Sequence, residues 1–169
     1  VLVNNAGVLE AGLLERQDPD RIDAMVAANL TGPIHLTRQL LPGMIERRRG
    51  LIVNNASISA YAYLPGASTY AATKAGIVAF GEALRRELRD TGVSTMHLVT
   101  PRIETDMAAE MDVQYDGLVD TAAFSSTTPE AWAEKVVKAM LNGDHVVGPG
   151  GTTAIAKLAS RLPAFPVDA

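Results

Sequence analysis

The chain contains no cysteine, and this absence excludes disulfide bonds, thiolate metal sites and thiol chemistry. Its three histidines are scattered, so no pair has the spacing of a metal site. No apolar run reaches the roughly 18 residues that a membrane span requires, so no clear membrane segment is expected. A net charge of −4 gives no reason to expect nucleic acid as a partner.

Glycine is scarce where a nucleotide-binding turn would need it. The one dense glycine cluster, Gly148-Pro149-Gly150-Gly151, lies near the C-terminus, and its proline makes it a poor cradle for phosphate. We interpret it as a loop. The one basic cluster, Arg47-Arg48-Arg49, ends a helical pattern and precedes Gly50. We interpret its charges as offsetting the helix dipole, with Gly50 at the C′ position, in preference to a binding patch.

Short apolar runs alternate with helical patterns, which predicts an α/β domain built on a parallel sheet. The length suits one domain with its own core. Strands are predicted at 1–3, 51–56, 93–99 and 145–148. Helices are predicted at 19–49, with kinks or breaks at Pro33 and Pro42, at 69–90, and at 129–142, where Asp18 and Thr128 are the N-caps of the first and last. Residues 106–127 are predicted to be a long irregular segment.

Tyr70 and Lys74 are one turn apart on the predicted helix 69–90, so they share a face. A free phenol has a pKa of about 10, and a neighbouring ammonium is expected to lower it. Ser57 follows the strand 51–56, at the sheet edge where α/β proteins bind ligands, and its hydroxyl can donate to a developing alkoxide. The alternative is a chance spacing, with Tyr70 as ordinary packing.

Further motifs occur in a fixed order along the chain. Asn4-Asn5-Ala6-Gly7 follows the first strand, Asn29 lies inside a helical pattern, and Pro101 to Thr105 follows the third long strand. Together with the serine, tyrosine and lysine, their order and spacing resemble the short-chain dehydrogenase/reductase family, which consists of single-domain nicotinamide enzymes with a Rossmann-like fold. The resemblance extends from Val1 to about Gly148.

The resemblance implies a role for each matching residue. Tyr70 matches the catalytic acid/base, and Lys74 matches the residue that lowers the tyrosine pKa and holds the nicotinamide ribose. Ser57 matches the residue that polarises the substrate oxygen. Asn29 matches the residue that positions a water in a proton relay to the lysine.

The same resemblance implies a set of residues that bind the cofactor. Asn4, Ala6 and Gly7 match the motif that supports the central sheet and borders the adenine side of the cofactor. Pro101 and Thr105 match the loop whose hydroxyl meets the nicotinamide carboxamide. Tyr70 and Lys74 complete the set in their positions beside the ribose.

One motif departs from the family pattern. Arg102 stands where the family usually has glycine, and Thr105 follows Pro101 by four residues instead of five. We interpret Arg102 as a solvated loop charge, with a contact to a cofactor phosphate as the alternative.

The largest departure is at the front of the chain. Family members open with a strand, a glycine-rich turn and a helix that holds the pyrophosphate, and this sequence has none of them. The expectation is therefore that residues 1–169 are the C-terminal part of a single Rossmann-fold domain that lacks its first three strand–helix units. Such a fragment alone is expected to be inactive and unstable, because strand 1–3 would expose an unpaired apolar edge.

The implied activity is the interconversion of a secondary alcohol and a ketone or aldehyde with NAD or NADP, in a cytoplasmic homodimer or homotetramer that assembles through the two long helices. In the family, the segment 106–127 folds over the substrate. Its larger side chains suit an apolar substrate and packing on the sheet equally well: Met107, Met111, Tyr115, Leu118 and Phe124.

Two other functions are weighed against this one. A nucleotide-sugar epimerase or dehydratase also uses the Tyr-x-x-x-Lys pair, but Asn4-Asn5-Ala6-Gly7 and Asn29 argue against it. A non-catalytic binding partner would have no chemical need for the complete catalytic set. The tail from Thr152 carries a short apolar helical pattern that could cover the pocket, contact a neighbouring subunit or, less favourably, associate with a membrane.

Overall fold

The computed structural model describes residues 1–121 and 124–150. Its central sheet has four parallel strands: β1 (Leu2–Asn4), β2 (Gly50–Asn55), β3 (Val93–Leu98) and β6 (Val146–Val147). They lie side by side in the order β1-β2-β3-β6. The predicted α/β fold with a parallel sheet is confirmed. Because all four strands run the same way, their carboxyl ends meet at one edge of the sheet.

Five α-helices accompany the sheet: α1 (Pro19–Val26), α2 (Gly32–Glu46), α3 (Ser68–Glu87), α4 (Asp106–Gln114) and α5 (Pro129–Asn142). Two short strands, β4 (Arg102–Ile103) and β5 (Ser126–Thr127), pair in parallel apart from the main sheet. Short 3-10 turns occur at Leu14–Arg16 and Ile58–Ala60. None of the helices in the described ranges is both long and apolar enough to cross a membrane.

The predicted helix starts are confirmed. Asp18 caps α1 by accepting a hydrogen bond from the Asp20 amide at 2.9 Å, and Thr128 caps α5 in the same way. In both helices the next residue is a proline, whose missing N–H is no loss in the first turn.

The first long helix is interrupted where the prolines predicted a kink. Residues Ala27–Thr31 form a π-helical turn between α1 and α2. Pro33 has no N–H to donate back to this turn, which accounts for the wider winding. Pro42 lies inside α2 without ending it.

The interpretation of Gly50 as a helix C′ residue is wrong. Helix α2 ends at Glu46, and Arg48 takes the left-handed conformation instead, with φ of 49°. Gly50 is the first residue of β2, and a Cβ atom there would lie 2.7 Å from the sulfur of Met44. The glycine is therefore required by close packing of α2 on the sheet.

The prediction of an irregular segment at 106–127 is also wrong, because α4 occupies its first half and β5 lies at its end. The apolar side chains of α4 form no strong stripe, and Met107 and Val113 are exposed. Periodicity therefore gave no signal of a helix. The predicted tail helix from Thr152 lies outside the described residues.

Each face of the sheet packs on its own helices. One face meets α2 and α3 through a cluster of buried side chains: Met44, Ile52, Leu84, Leu88 and Val93. The other face meets α5 through a second cluster: Val53, Met96, Leu98, Ala139 and Val147. Beside β1 this second face is open within the described residues, and Val3 there is 52% exposed.

Candidate active site

The three predicted catalytic side chains come together at the carboxyl edge of the sheet. Ser57 follows β2, and its Oγ accepts a hydrogen bond from the Ser59 amide at 3.1 Å. Helix α3 carries Tyr70 and Lys74, and the Ser57 hydroxyl hydrogen-bonds the Tyr70 phenol. All three side chains are buried. Two hydroxyls and one amine therefore share a small volume that is largely shielded from water.

Burial sets the proton affinity of Tyr70. Loss of water around the phenol raises its pKa above the ordinary value of 10, and the hydrogen bond from Ser57 offsets only part of this rise. The expectation that Lys74 lowers the tyrosine pKa is therefore not met in this structure. The Lys74 amine lies 5.6 Å from the centre of the tyrosine ring. At neutral pH Tyr70 holds its proton and can act as an acid.

The Lys74 amine is buried at the end of β2. Its Nζ donates a hydrogen bond to the Asn55 carbonyl at 3.0 Å, and the residue is only 4% exposed. Burial disfavours the charged form and lowers the pKa of Lys74 from 10.5 to about 8. The amine is therefore mostly charged at pH 7, with two donors beyond the one that Asn55 receives.

Asn29 joins the loop after β1 to α3. Its Oδ1 accepts from the Val8 amide at 2.8 Å, and its Nδ2 donates to the Val8 carbonyl at 2.8 Å and to the Thr73 hydroxyl at 3.2 Å. The π-helical turn directs this side chain inward, where it is 2% exposed. Both amide donors are used by these contacts, so a water held by this side chain would have to bond to Oδ1.

Gly7 lies directly against this group. A Cβ atom at Gly7 would be 3.0 Å from Oδ1 of Asn29 and 3.3 Å from Nζ of Lys74. The glycine is therefore required by the close approach of the loop to the two side chains. Ala6, its neighbour, is exposed at the same edge of the sheet.

The Asn4 side chain cross-links the central sheet to α2. Its Nδ2 donates to Oδ1 of Asn54 at 2.8 Å and to Oγ1 of Thr37 at 3.3 Å, and all three side chains are buried. These bonds tie β1 to β2 and both strands to α2.

The structure does not bring Thr105 into the buried group. Pro101 and Thr105 follow β3 at the same edge of the sheet, but Thr105 is exposed, and its hydroxyl makes only a long hydrogen bond to the Ile103 carbonyl at 3.4 Å. Arg102 pairs with Asp112 of α4, and the two side chains are 22% and 39% exposed. The interpretation of Arg102 as a solvated loop charge is therefore wrong, because the residue joins β4 to α4.

Sequence reasoning missed the contacts that fix α4 and the residue after it. Gln114, which belongs to no motif, accepts a hydrogen bond from the Ala11 amide at 2.7 Å. Tyr115, the next residue, is 3% exposed. Burial, together with the nearby Tyr70 phenol, raises the pKa of Tyr115 to about 12. The hydrogen bond from Ala11 to Gln114 joins residues that are 103 positions apart, and no local spacing indicates either contact.

Comparisons with known proteins show what this chain is similar to. The family model described as short chain dehydrogenase matches residues 1–116. The 3-oxoacyl-[acyl-carrier-protein] reductase FabG of Vibrio cholerae is 34% identical over 112 residues, which are 66% of this chain and 46% of that protein. The ketoacyl reductase HetN of a Nostoc species is 36% identical over 144 residues, which are 84% of this chain and 48% of that protein.

A solved structure gives the same result. A gluconate 5-dehydrogenase from Burkholderia cenocepacia, in complex with NADP and tartrate, is 30% identical, with a TM-score of 0.62 over 73% of this chain and 46% of that one. The chain spans about half the length of the curated relatives it matches, 46% and 48% in the two reductases. Among the described residues, no group of histidines and carboxylates has the arrangement of a metal site.

Proposed function

Since the chain belongs to the short-chain dehydrogenase family, we propose that it carries the catalytic residues of an oxidoreductase that interconverts a secondary alcohol and a ketone or aldehyde with NAD or NADP. One observation carries the proposal. Tyr70, hydrogen-bonded to Ser57 and followed one turn later by buried Lys74, lies at the carboxyl edge of a parallel sheet.

Each side chain has a definite part in the reaction. In reduction, Tyr70 donates its proton to the substrate oxygen, and the raised pKa keeps that proton in place until charge develops on the oxygen. Ser57 donates a hydrogen bond to the same oxygen. In oxidation the two groups act in reverse, with Tyr70 as the base. A bound nicotinamide supplies or accepts the hydride at the substrate carbon.

The residues around Lys74 fit a nicotinamide nucleotide. The two remaining donors of its amine can hold ribose hydroxyls, and the missing side chain at Gly7 keeps the loop close to that amine. Asn4 holds the strand that leads into this loop, and Ala6 lies in the loop beside Gly7. Pro101 and Thr105 are proposed to face the nicotinamide end of the cofactor. Support for the cofactor comes from the gluconate 5-dehydrogenase neighbour, which holds NADP.

We extend the proposal to a homodimer or homotetramer that assembles through α2 and α3. Leu36 and Leu40 lie one turn apart on α2 and are 49% and 47% exposed. Two large apolar side chains on one helix face are the kind of surface that a second subunit covers. The test of this part is given with the other predictions below.

Tyr70→Phe in the full-length protein tests the catalytic assignment. The ring keeps its packing, while the proton donor is lost, so turnover should fall by at least about a hundredfold with little change in nicotinamide affinity. Turnover is followed by nicotinamide absorbance and affinity by calorimetry. Tyr63→Phe is the matched control, because Tyr63 is 60% exposed on the loop that precedes the same helix. Near-normal turnover by Tyr70→Phe would contradict the proposal.

A further inference from the structure

The first turn of α3 carries the proposed proton donor. Thr69 and Tyr70 lie in this turn, directly after the first helical residue. The N-cap is Ala67, whose methyl side chain has no atom that accepts a hydrogen bond, whereas α1 and α5 begin with side-chain caps. The first amides of a helix have no partner within the helix, so a turn without a cap frays more easily. The placement of Tyr70 therefore depends strongly on contacts from other segments.

The Gln17 side chain makes such a contact. Its Oε1 accepts a hydrogen bond from the Thr69 hydroxyl at 2.8 Å, and its Nε2 donates to the Gly12 carbonyl at 2.8 Å. The Gly12 amide in turn donates to the Gly66 carbonyl at 2.9 Å. We call these three hydrogen bonds the Gln17 bridge. They close a loop junction at the start of α3, between the loop after β1 and the loop that precedes the helix.

The Gln17 bridge is anchored on the side of the loop after β1. The Gln17 amide donates to the Leu14 carbonyl at 3.2 Å, at the end of a 3-10 turn, and the next residue, Asp18, caps α1. The side chain uses its carbonyl as an acceptor and its amino group as a donor, so two partners set its orientation. Both bonds are partly buried, and this burial limits competition from water.

Thr69 is adjacent to Tyr70 in the chain, so a shift that breaks the Thr69 hydrogen bond also moves the Tyr70 phenol. We propose that Gln17 is a positioning residue, which holds the first turn of α3 so that the Tyr70 hydroxyl stays aligned with the substrate oxygen. This inference rests on the proposed function, and in it Gln17 contacts neither substrate nor cofactor. Proton transfer depends steeply on alignment, so the contribution is to turnover and not to binding.

Variants of the full-length protein test this role, with ethyl acetoacetate as the probe and NADH or NADPH as the hydride donor. Gln17→Leu and Thr69→Val each remove the bond between the two side chains, so kcat should fall about tenfold with little change in KM. The double variant should lose no more than either single one, because both changes remove the same contact. Thr69→Ser keeps the hydroxyl and should have near-wild-type kcat. Gln39→Leu is the control, because Gln39 is exposed on α2.

Amide hydrogen exchange separates this inference from the proposed function, because it needs no turnover. Gln17→Leu should speed exchange in the first turn of α3 about three- to tenfold, the effect of one neutral hydrogen bond, and leave α5 unchanged. Faster exchange there supports the inference even if the probe is not reduced. Turnover that survives Tyr70→Phe would contradict the proposed function and leave the exchange result standing. Unchanged exchange in the first turn, additive losses in the double variant or an equal loss in Thr69→Ser would overturn the positioning role.

Discussion

Replacing Lys74 with methionine should stabilise the fold while it abolishes the activity. Lys74 is 4% exposed, and burial lowers its pKa from 10.5 to about 8. At about 1.4 kcal/mol for each pH unit, this difference corresponds to about 3 kcal/mol of unfavourable free energy for burying the ammonium. Methionine fills a similar volume without the charge, so the free energy of unfolding at pH 7 should rise by up to about 3 kcal/mol.

The effect has a definite pH dependence. Between pH 8 and pH 10.5 the unfolded chain still binds the lysine proton and the folded chain has lost it. Wild-type stability relative to the variant should therefore rise with pH across this window. Below pH 8 both the folded and the unfolded wild type hold the proton. The free energy of unfolding of Lys74→Met should therefore exceed that of wild type by its full amount there.

Urea unfolding of wild type and Lys74→Met at several pH values from 7 to about 10.5 measures this difference. Lys138→Met is the matched control, because Lys138 is exposed on α5. Its replacement should change the free energy of unfolding only slightly, and this change should not depend on pH in the same way. A Lys74→Met protein that is no more stable than wild type at pH 7 would refute the reasoning. A difference in the free energy of unfolding between Lys74→Met and wild type that stays constant up to pH 10.5 would also refute it.

Two further predictions concern the loop after β1 and the surface of α2. Gly7→Ala places a methyl group 3.0 Å from Oδ1 of Asn29, so kcat/KM should fall about 10- to 100-fold with the fold retained by circular dichroism; near-wild-type kinetics would contradict the close approach. Leu40→Glu puts a charge on the exposed apolar face of α2 and should reduce the mass measured by analytical ultracentrifugation to that of a smaller assembly. An unchanged mass would contradict the proposal that α2 lies in the subunit interface.

The fold could be predicted from short, local signals. The apolar runs gave β2 and β3 to within one residue at each end, and Asp18 and Thr128 gave the starts of two helices. These signals are sufficient because a strand's hydrophobicity and a helix cap act within a few residues. Gly50 was misread because a C′ position and a tight packing contact both require glycine, and sequence does not distinguish them.

The candidate site was predictable as a set of residues but not in its electrostatics. Parallel strands end at one edge, so the residues after β1 and β2 had to lie close together. The sign of the shift in the Tyr70 pKa could not be predicted, because it depends on how completely the phenol is shielded from water. Sequence spacing also gave no sign of the contacts that fix α4, which are the hydrogen bond from Ala11 to Gln114 and the pair of Arg102 with Asp112.

The proton affinity of Tyr115, at the end of α4, is linked to that of Tyr70. Tyr115 packs at the loop junction next to Tyr70, and burial raises the pKa of both phenols. A change that admitted water to the Tyr70 phenol would bring its pKa back toward 10. Burial therefore keeps this phenol protonated at neutral pH, which suits the proton donation that we propose for it in the reduction of a carbonyl group.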